Sequence, residues 1–345
     1  MEINNLSGRI AGNDYQTDWF NLNLKNENLT IDSLHFTPEQ NLSDYKIKKS
    51  FDDDFFELKS GMITALGVDL SNFPNDSSIK IRDLKPENLR ILTLKDKSQP
   101  KLQKKIKLLP TGLTSGIPAK IEIENLQSEN MYVEYQEIAE TDKLERVFPV
   151  ESMNLNVKNI KSFNSSITDS LYINASLRIF DVVPVHVHVK ESYRDTLSGF
   201  WLKMNTMPVK LNDLNEALFP LTGVRVRSGY LDSLHFSFKG NNDYATGTTR
   251  MYYKNIKIQI FNQKDKGKQS LINKMVSGIT NTFIIGKNIK GKAYPVFYER
   301  VKTKSFINFY VKAALSGILS GFGVSGAKEK QRKYLRNNPD MKLLQ

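Results

Sequence analysis

Cysteine is absent from the 345 residues. That excludes a disulfide framework, thiolate metal sites and a cysteine nucleophile, and leaves the compartment open. Histidine occurs four times and tryptophan twice, so an imidazole-rich metal centre has little to draw on. Long apolar runs are also missing: nothing in the first 300 residues approaches the about 20 uninterrupted apolar residues of a spanning helix. The opening stretch MEINNLSGRIAG has neither a basic n-region nor an apolar h-region, so it is not a secretory signal. The expectation is a cytosolic protein or a piece of a longer one.

Catalytic patterns are equally scarce. Gly278 and Gly286-Lys287 are spaced too widely for a phosphate-binding loop, and no dinucleotide fingerprint occurs. Ser320, in GILSGFG, departs from G-x-S-x-G and lies in a helical apolar run. Asp52-Asp53-Asp54 lacks the glycine and alternating ligands of a calcium loop and reads as a solvated acidic turn. His186 and His188 share a strand face, a spacing that suits zinc, but no third ligand stands nearby. They read as wet-face polar positions. The expectation is a protein that is not an enzyme and holds no metal or cofactor.

What is present is charge, unevenly placed. The net charge is +12. From Gly247 onward 20 Lys and Arg stand against 4 Asp and Glu, leaving 29 and 33 for the preceding 246 residues, so a net of +16 follows a net of −4. Such segregation points to a polyanion at one end. An anionic membrane is favoured over nucleic acid. Tyr252, Tyr253, Tyr294 and Tyr298 resemble a stacking platform, but no recognition motif accompanies them.

Period-two alternation dominates the rest. Leu22 and Leu24, Ile121 and Ile123, Leu155 and Val157, Val185 and Val187, Leu234, Phe236 and Phe238, and Ile256 and Ile258 each alternate with polar residues. Each segment predicts a strand with one apolar face, as in antiparallel sheets. Gly240-Asn241-Asn242-Asp243 supplies turn chemistry for a hairpin over 231–261. The pentapeptide DSLHF occurs at Asp32–Phe36 and again at Asp232–Phe236, inside a looser pattern of apolar, any, Asn/Asp/Ser, apolar. That pattern recurs from Ile3, Ile31, Ile81, Ile123, Val157, Leu231 and Tyr253. Irregular spacing excludes a fixed-period solenoid; a reused strand-and-turn unit or chance composition remain.

Helical signals are few: 210–219 with Asn212 as cap and Pro220 as stop, 270–285, and 305–324. On the last, Ile307, Val311, Leu315, Ile318 and Phe322 form one apolar stripe, widened by Phe306. Lys302 and Lys304 precede it, and Lys328, Lys330, Arg332 and Lys333 follow. An interfacial helix on an anionic membrane fits best. Packing on the protein's own sheet is the alternative, and Lys312 counts against spanning.

The run SGYLDSLHFSFKGNNDYATGTTRMYYKNIKIQI, with YERVKTKSFINFYVKAALSGILSGFGV after it and TGLTSGIPAKIEIENLQSENMYVEYQE before it, resembles the C-terminal region of AsmA-like envelope proteins of Bacteroidetes-type Gram-negative bacteria. The resemblance is most specific over about residues 220–325. It implies a periplasmic, membrane-associated protein, anchored in the inner membrane through an N-terminal segment that this chain lacks. It implies strands curled into a U-shaped groove that carries phospholipid toward the outer membrane. The expected architecture is mainly β: an elongated antiparallel groove over 1–265 and a basic, helix-rich region over 266–345. The strand residues named above would line the groove and contact phospholipid acyl chains. Phe306–Phe322 with Lys328, Lys330, Arg332 and Lys333 would meet the membrane. A scaffold for outer-membrane biogenesis that carries no lipid is the alternative.

Overall fold

The computed structural model describes the chain except residues 11–12, 40, 49–53, 100–105, 139–142, 144, 164, 195–198, 217–223, 261–281, 286–287, 289, 323–325 and 340–345. The protein is mainly β with C-terminal helices, as expected. It divides into two compact units, one holding Met1–Lys105, Pro110–Arg178 and Ser192–Arg194, the other Ile106–Leu109, Ile179–Glu191 and Asp195–Gln345.

The first unit contains β1 (Glu2–Ile10), β2 (Asn13–Asn23), β3 (Asn28–Asp32), β4 (His35–Pro38), α1 (Leu42–Lys48), β5 (Asp54–Lys59), β6 (Ile63–Asp69), α2 (Phe73–Asp76), β7 (Ser78–Pro86), β8 (Arg90–Asp96), α3 (Pro110–Ser115), β9 (Lys120–Ile138), β10 (Glu145–Lys161) and β11 (Ser170–Ile179). β3 and β4 continue one another along β2, as do β5 with β6 and β7 with β8 along their neighbours. The sheet is mixed: β9 runs parallel to β7 and β8, whereas the other pairings are antiparallel. The crossover from β8 to β9 produces this departure from an all-antiparallel sheet.

The recurring four-residue pattern has a structural meaning. Its third residue adopts the left-handed backbone at Asn5, Ser33, Asn159 and Asn255, with φ between 53° and 61°. Short polar side chains, Asn above all, tolerate that conformation better than bulky ones. Asp83 and Asn125 lie beside the line on which Gly67 (φ +63°) and Asn159 fall, and Ser233 lies at a register shift. A left-handed residue or bulge changes the parity of a strand. Apolar residues three apart then share one face: Ile81 with Leu84, Ile123 with Leu126 and Val157 with Ile160 join a single cluster. A second line, level across β1 to β10, carries left-handed Asn5, Ser33, Asn88, Asn130 and Ser152.

The second unit contains β12 (Val183–Ser192), β13 (Phe200–Thr206), β14 (Val209–Lys210), β15 (Val224–Gly240), β16 (Tyr244–Ile260), β17 (Thr282–Ile285), β18 (Ala293–Glu299), α4 (Phe306–Gly321) and α5 (Ala327–Asn337). The expected hairpin is β15–β16, and Asn241 Oδ1 closes its turn by accepting from Asp243 N (2.8 Å) and Tyr244 N (3.0 Å). Ser305 caps α4 by accepting from Asn308 N. Two helical expectations are changed, one in part. Leu211–Leu214 is a 3-10 turn without a side-chain cap. The chain is helical at Asn215 and Glu216, and Asn215 clasps the Val226 backbone with both amide atoms; residues 217–219 lie outside the described residues. Thr282–Ile285 is a strand paired with β16; 270–281 lies outside the described residues.

Candidate functional site

Registered rows of apolar side chains cross one face of the first unit. One runs Leu22, Leu29, Ala65, Leu84, Leu126, Val157, Ile173. Beyond the second left-handed line another runs Phe36, Leu58, Ile91, Val133, Val150. Ala65 is buried, whereas the other members of both rows are only half-buried. Phe36 packs edge-on against Phe56 in the next row, where Tyr135 packs tilted against Phe148. Among the described residues of this unit no second sheet or long helix covers this face; α3 touches β10. α1 reaches Phe55 on the opposite face through Tyr45.

The expected lining residues divide between the units. Leu22, Ile121, Ile123, Leu155 and Val157 lie on the open face. Leu24 lies past the end of β2, in a turn, 63% exposed, because the chain reverses after Asn23. Sequence reasoning missed Phe36, Leu58, Ile91, Val133 and Val150, since strict alternation loses them where left-handed residues reset parity. A Ser or Asn two residues after an apolar residue was the available signal.

In the second unit the equivalent face is closed. Phe238 meets Phe200, which meets Phe309 and Tyr310 of α4. A Cβ on Gly317 would lie 2.0 Å from Thr249 Oγ1, and one on Gly321 would lie 1.9 Å from the Met251 methyl. Thr249 pairs with Phe236 and Met251 with Leu234, so α4 lies over the row that contains them. Val185, Leu234, Phe236, Phe238, Ile256 and Ile258 are buried, and Val187 is half-buried. Phe236 and Phe238, at 2% and 1% exposure, are core residues.

The expected membrane-contact residues are also parted. α4 packs through Phe309, Ala313, Ser316 and Gly317. It turns Ile307 (59% exposed) and Val311 (51%) outward, with Phe306, Leu315, Ile318 and Phe322 half-buried. α4 touches Thr249, Met251 and Val296. α5 packs through Tyr334 on Tyr244 and Phe297, and Gln331 donates to Thr246 Oγ1 at 3.2 Å. Residues 246 and 249, like 296 and 297, point to opposite faces of a strand. The two helices therefore flank opposite faces, and the apolar stripe of α4 does not share a surface with exposed Lys328, Lys330, Arg332 and Lys333.

Beneath α4 lies a polar group of a different kind. Burial pushes the Tyr310 phenol well above its ordinary range, and the nearby Glu191 carboxylate adds to the shift. Burial lowers the Arg300 guanidinium, whose Nη atoms donate to Asn242 Oδ1 (2.6 Å) and Lys107 O (2.5 Å). His186 is exposed and His188 half-buried on the other sheet face, where His188 meets Trp201 edge-on. Among the described residues no cluster of three or more potential ligands forms around a metal position. Asp54 pairs with Lys95; Asp52 and Asp53 lie outside the described residues. Ser320 Oγ donates to Ser316 O within α4. Among the described residues no helix is long and apolar enough to cross a membrane.

Comparison with known protein families and with characterised proteins finds no match to this chain.

Proposed function

We propose that the first unit binds lipid acyl chains along its apolar sheet face, and that the protein carries phospholipid in a bacterial envelope. The observation that carries this reading is a face whose apolar rows cross the unit's strands yet stay half-exposed, with no covering layer among the described residues of that unit. Such a surface is costly in water. Removing a 16-carbon chain from water is worth roughly 12 kcal/mol at about 0.8 kcal/mol per methylene. An acyl chain on these rows would relieve both costs. The resemblance to AsmA-like proteins supplies the periplasmic setting and the direction toward the outer membrane. The role is binding and carriage, without catalysis.

The closed, side-chain-filled face of the second unit favours the other reading, a scaffold for outer-membrane biogenesis without cargo. Native mass spectrometry of protein purified from a membrane-containing lysate separates the two. Co-purifying phospholipid is expected, and Leu58→Gln with Ile91→Gln should deplete it while the circular dichroism spectrum is unchanged. Lipid-free protein under gentle extraction would leave the scaffold reading standing.

A further inference from the structure

The sheet face of the second unit that is turned away from α4 carries Lys190, Lys203, Lys239 and Arg250, all exposed. The registered rows running from Lys190 to Thr246, from His188 to Thr248 and from His186 to Arg250 contain no Asp or Glu. α5 packs on this same side, through Thr246 and Phe297. Ala327 and Tyr334 face the sheet. At 100° per residue the exposed cations Lys328, Arg332, Lys333 and Arg336 occupy the opposite arc and exposed Lys330 its flank, with Glu329 the only acid among them. None of these five has an ion-pair partner among the described residues.

We propose that this face and α5 together form a basic platform that docks on an anionic phospholipid surface. Charge is the complementary feature: many exposed cations on one side, from the sheet and from α5, against the carboxylates of Glu299, beside Phe297, and Glu329. The aromatic chemistry favours a bilayer over nucleic acid. Lys203 Nζ lies 4.1 Å from the Trp201 ring centroid, over a ring face that a stacking base would need. A tryptophan flanked by lysine suits the headgroup region of a bilayer. The apolar stripe of α4 is not part of the platform, since it lies on the other side of the sheet. The inference does not rest on lipid occupying the first unit.

Vesicle flotation of the full chain tests it. Binding is expected to vesicles of equal parts phosphatidylcholine and phosphatidylglycerol and not to phosphatidylcholine alone, and it should fall when salt rises from about 0.1 M to about 1 M. Lys203→Gln with Arg250→Gln, and separately Lys328→Gln with Lys333→Gln, should each weaken binding about 30-fold, at ~1 kcal/mol per cation. All four positions are exposed, so the fold should survive, and circular dichroism checks it. Leu58→Gln with Ile91→Gln should bind vesicles normally, which separates this proposal from the acyl-chain reading. Equal binding to neutral vesicles, absence of binding, an effect confined to the helix pair, or tighter binding to a single-stranded oligonucleotide would each overturn the platform.

Discussion

At the scale of single residues, left-handed backbone is the device this chain reuses. Asn255 is exposed, and its left-handed φ of 53° separates Tyr253 from Ile256, both buried. A β-branched side chain there meets the following carbonyl, at roughly 1–2 kcal/mol. Asn255→Val should lower stability by that amount in urea unfolding, while Asn255→Gly should be nearly neutral. Valine is the better strand former, so a propensity argument alone predicts the opposite sign. A second residue-scale prediction concerns acid. Asp169 accepts from Ser166 N (2.8 Å) and then from Lys161 Nζ (3.1 Å), and these bonds hold its carboxyl below the ordinary range. A lowered folded-state value contributes stability above the unfolded-state value, lost as pH falls through the folded one. Asp169→Asn should therefore lower Tm at neutral pH, with its difference from the parent shrinking as pH falls below the ordinary carboxylate range.

At the scale of elements, the docking of α4 decides what its sheet can do. The helix approaches through small residues, and Gly317 fits because nothing projects toward Thr249 and Val296. Gly317→Ala should cost about 1–3 kcal/mol by overpacking, measured by chemical denaturation. Thr249 Oγ1 is buried without a hydrogen-bond partner among the described residues, so Thr249→Ala alone should cost little, and the double variant should recover part of the loss. The apolar stripe of α4 was legible as a stripe, but not its direction. Helical periodicity identifies Ile307, Val311, Leu315, Ile318 and Phe322 as one face. It does not say that the opposite face, poorer in bulk, makes the closer packing. Small residues win because a backbone can approach a sheet nearer through Gly317 than through Leu315.

At the scale of the molecule, two units built from similar amphipathic strands differ in whether the apolar face is covered. Their responses to substitution should differ accordingly. Phe236→Asp places an uncompensated charge under α4 and should cost about 3–5 kcal/mol, seen as loss of the cooperative thermal transition. Ile91→Gln, on the half-exposed face of the first unit, should cost about 1 kcal/mol and leave a folded protein whose bound lipid, not its fold, is the sensitive readout. Candidate lining residues were legible wherever alternation is unbroken, as at Leu155 and Val157. They were lost beyond left-handed positions, where the apolar face continues out of phase.

The sequence by itself determined the β class, the β15–β16 hairpin, the C-terminal helix and the basic end, because alternation, turn residues, helical periodicity and charge are local properties. Only the tertiary structure decided which apolar faces are covered and on which side of the sheet each helix lies. Cover and side depend on how strands register across long sequence separations and on how closely one backbone approaches another. Local chemistry leaves both undetermined.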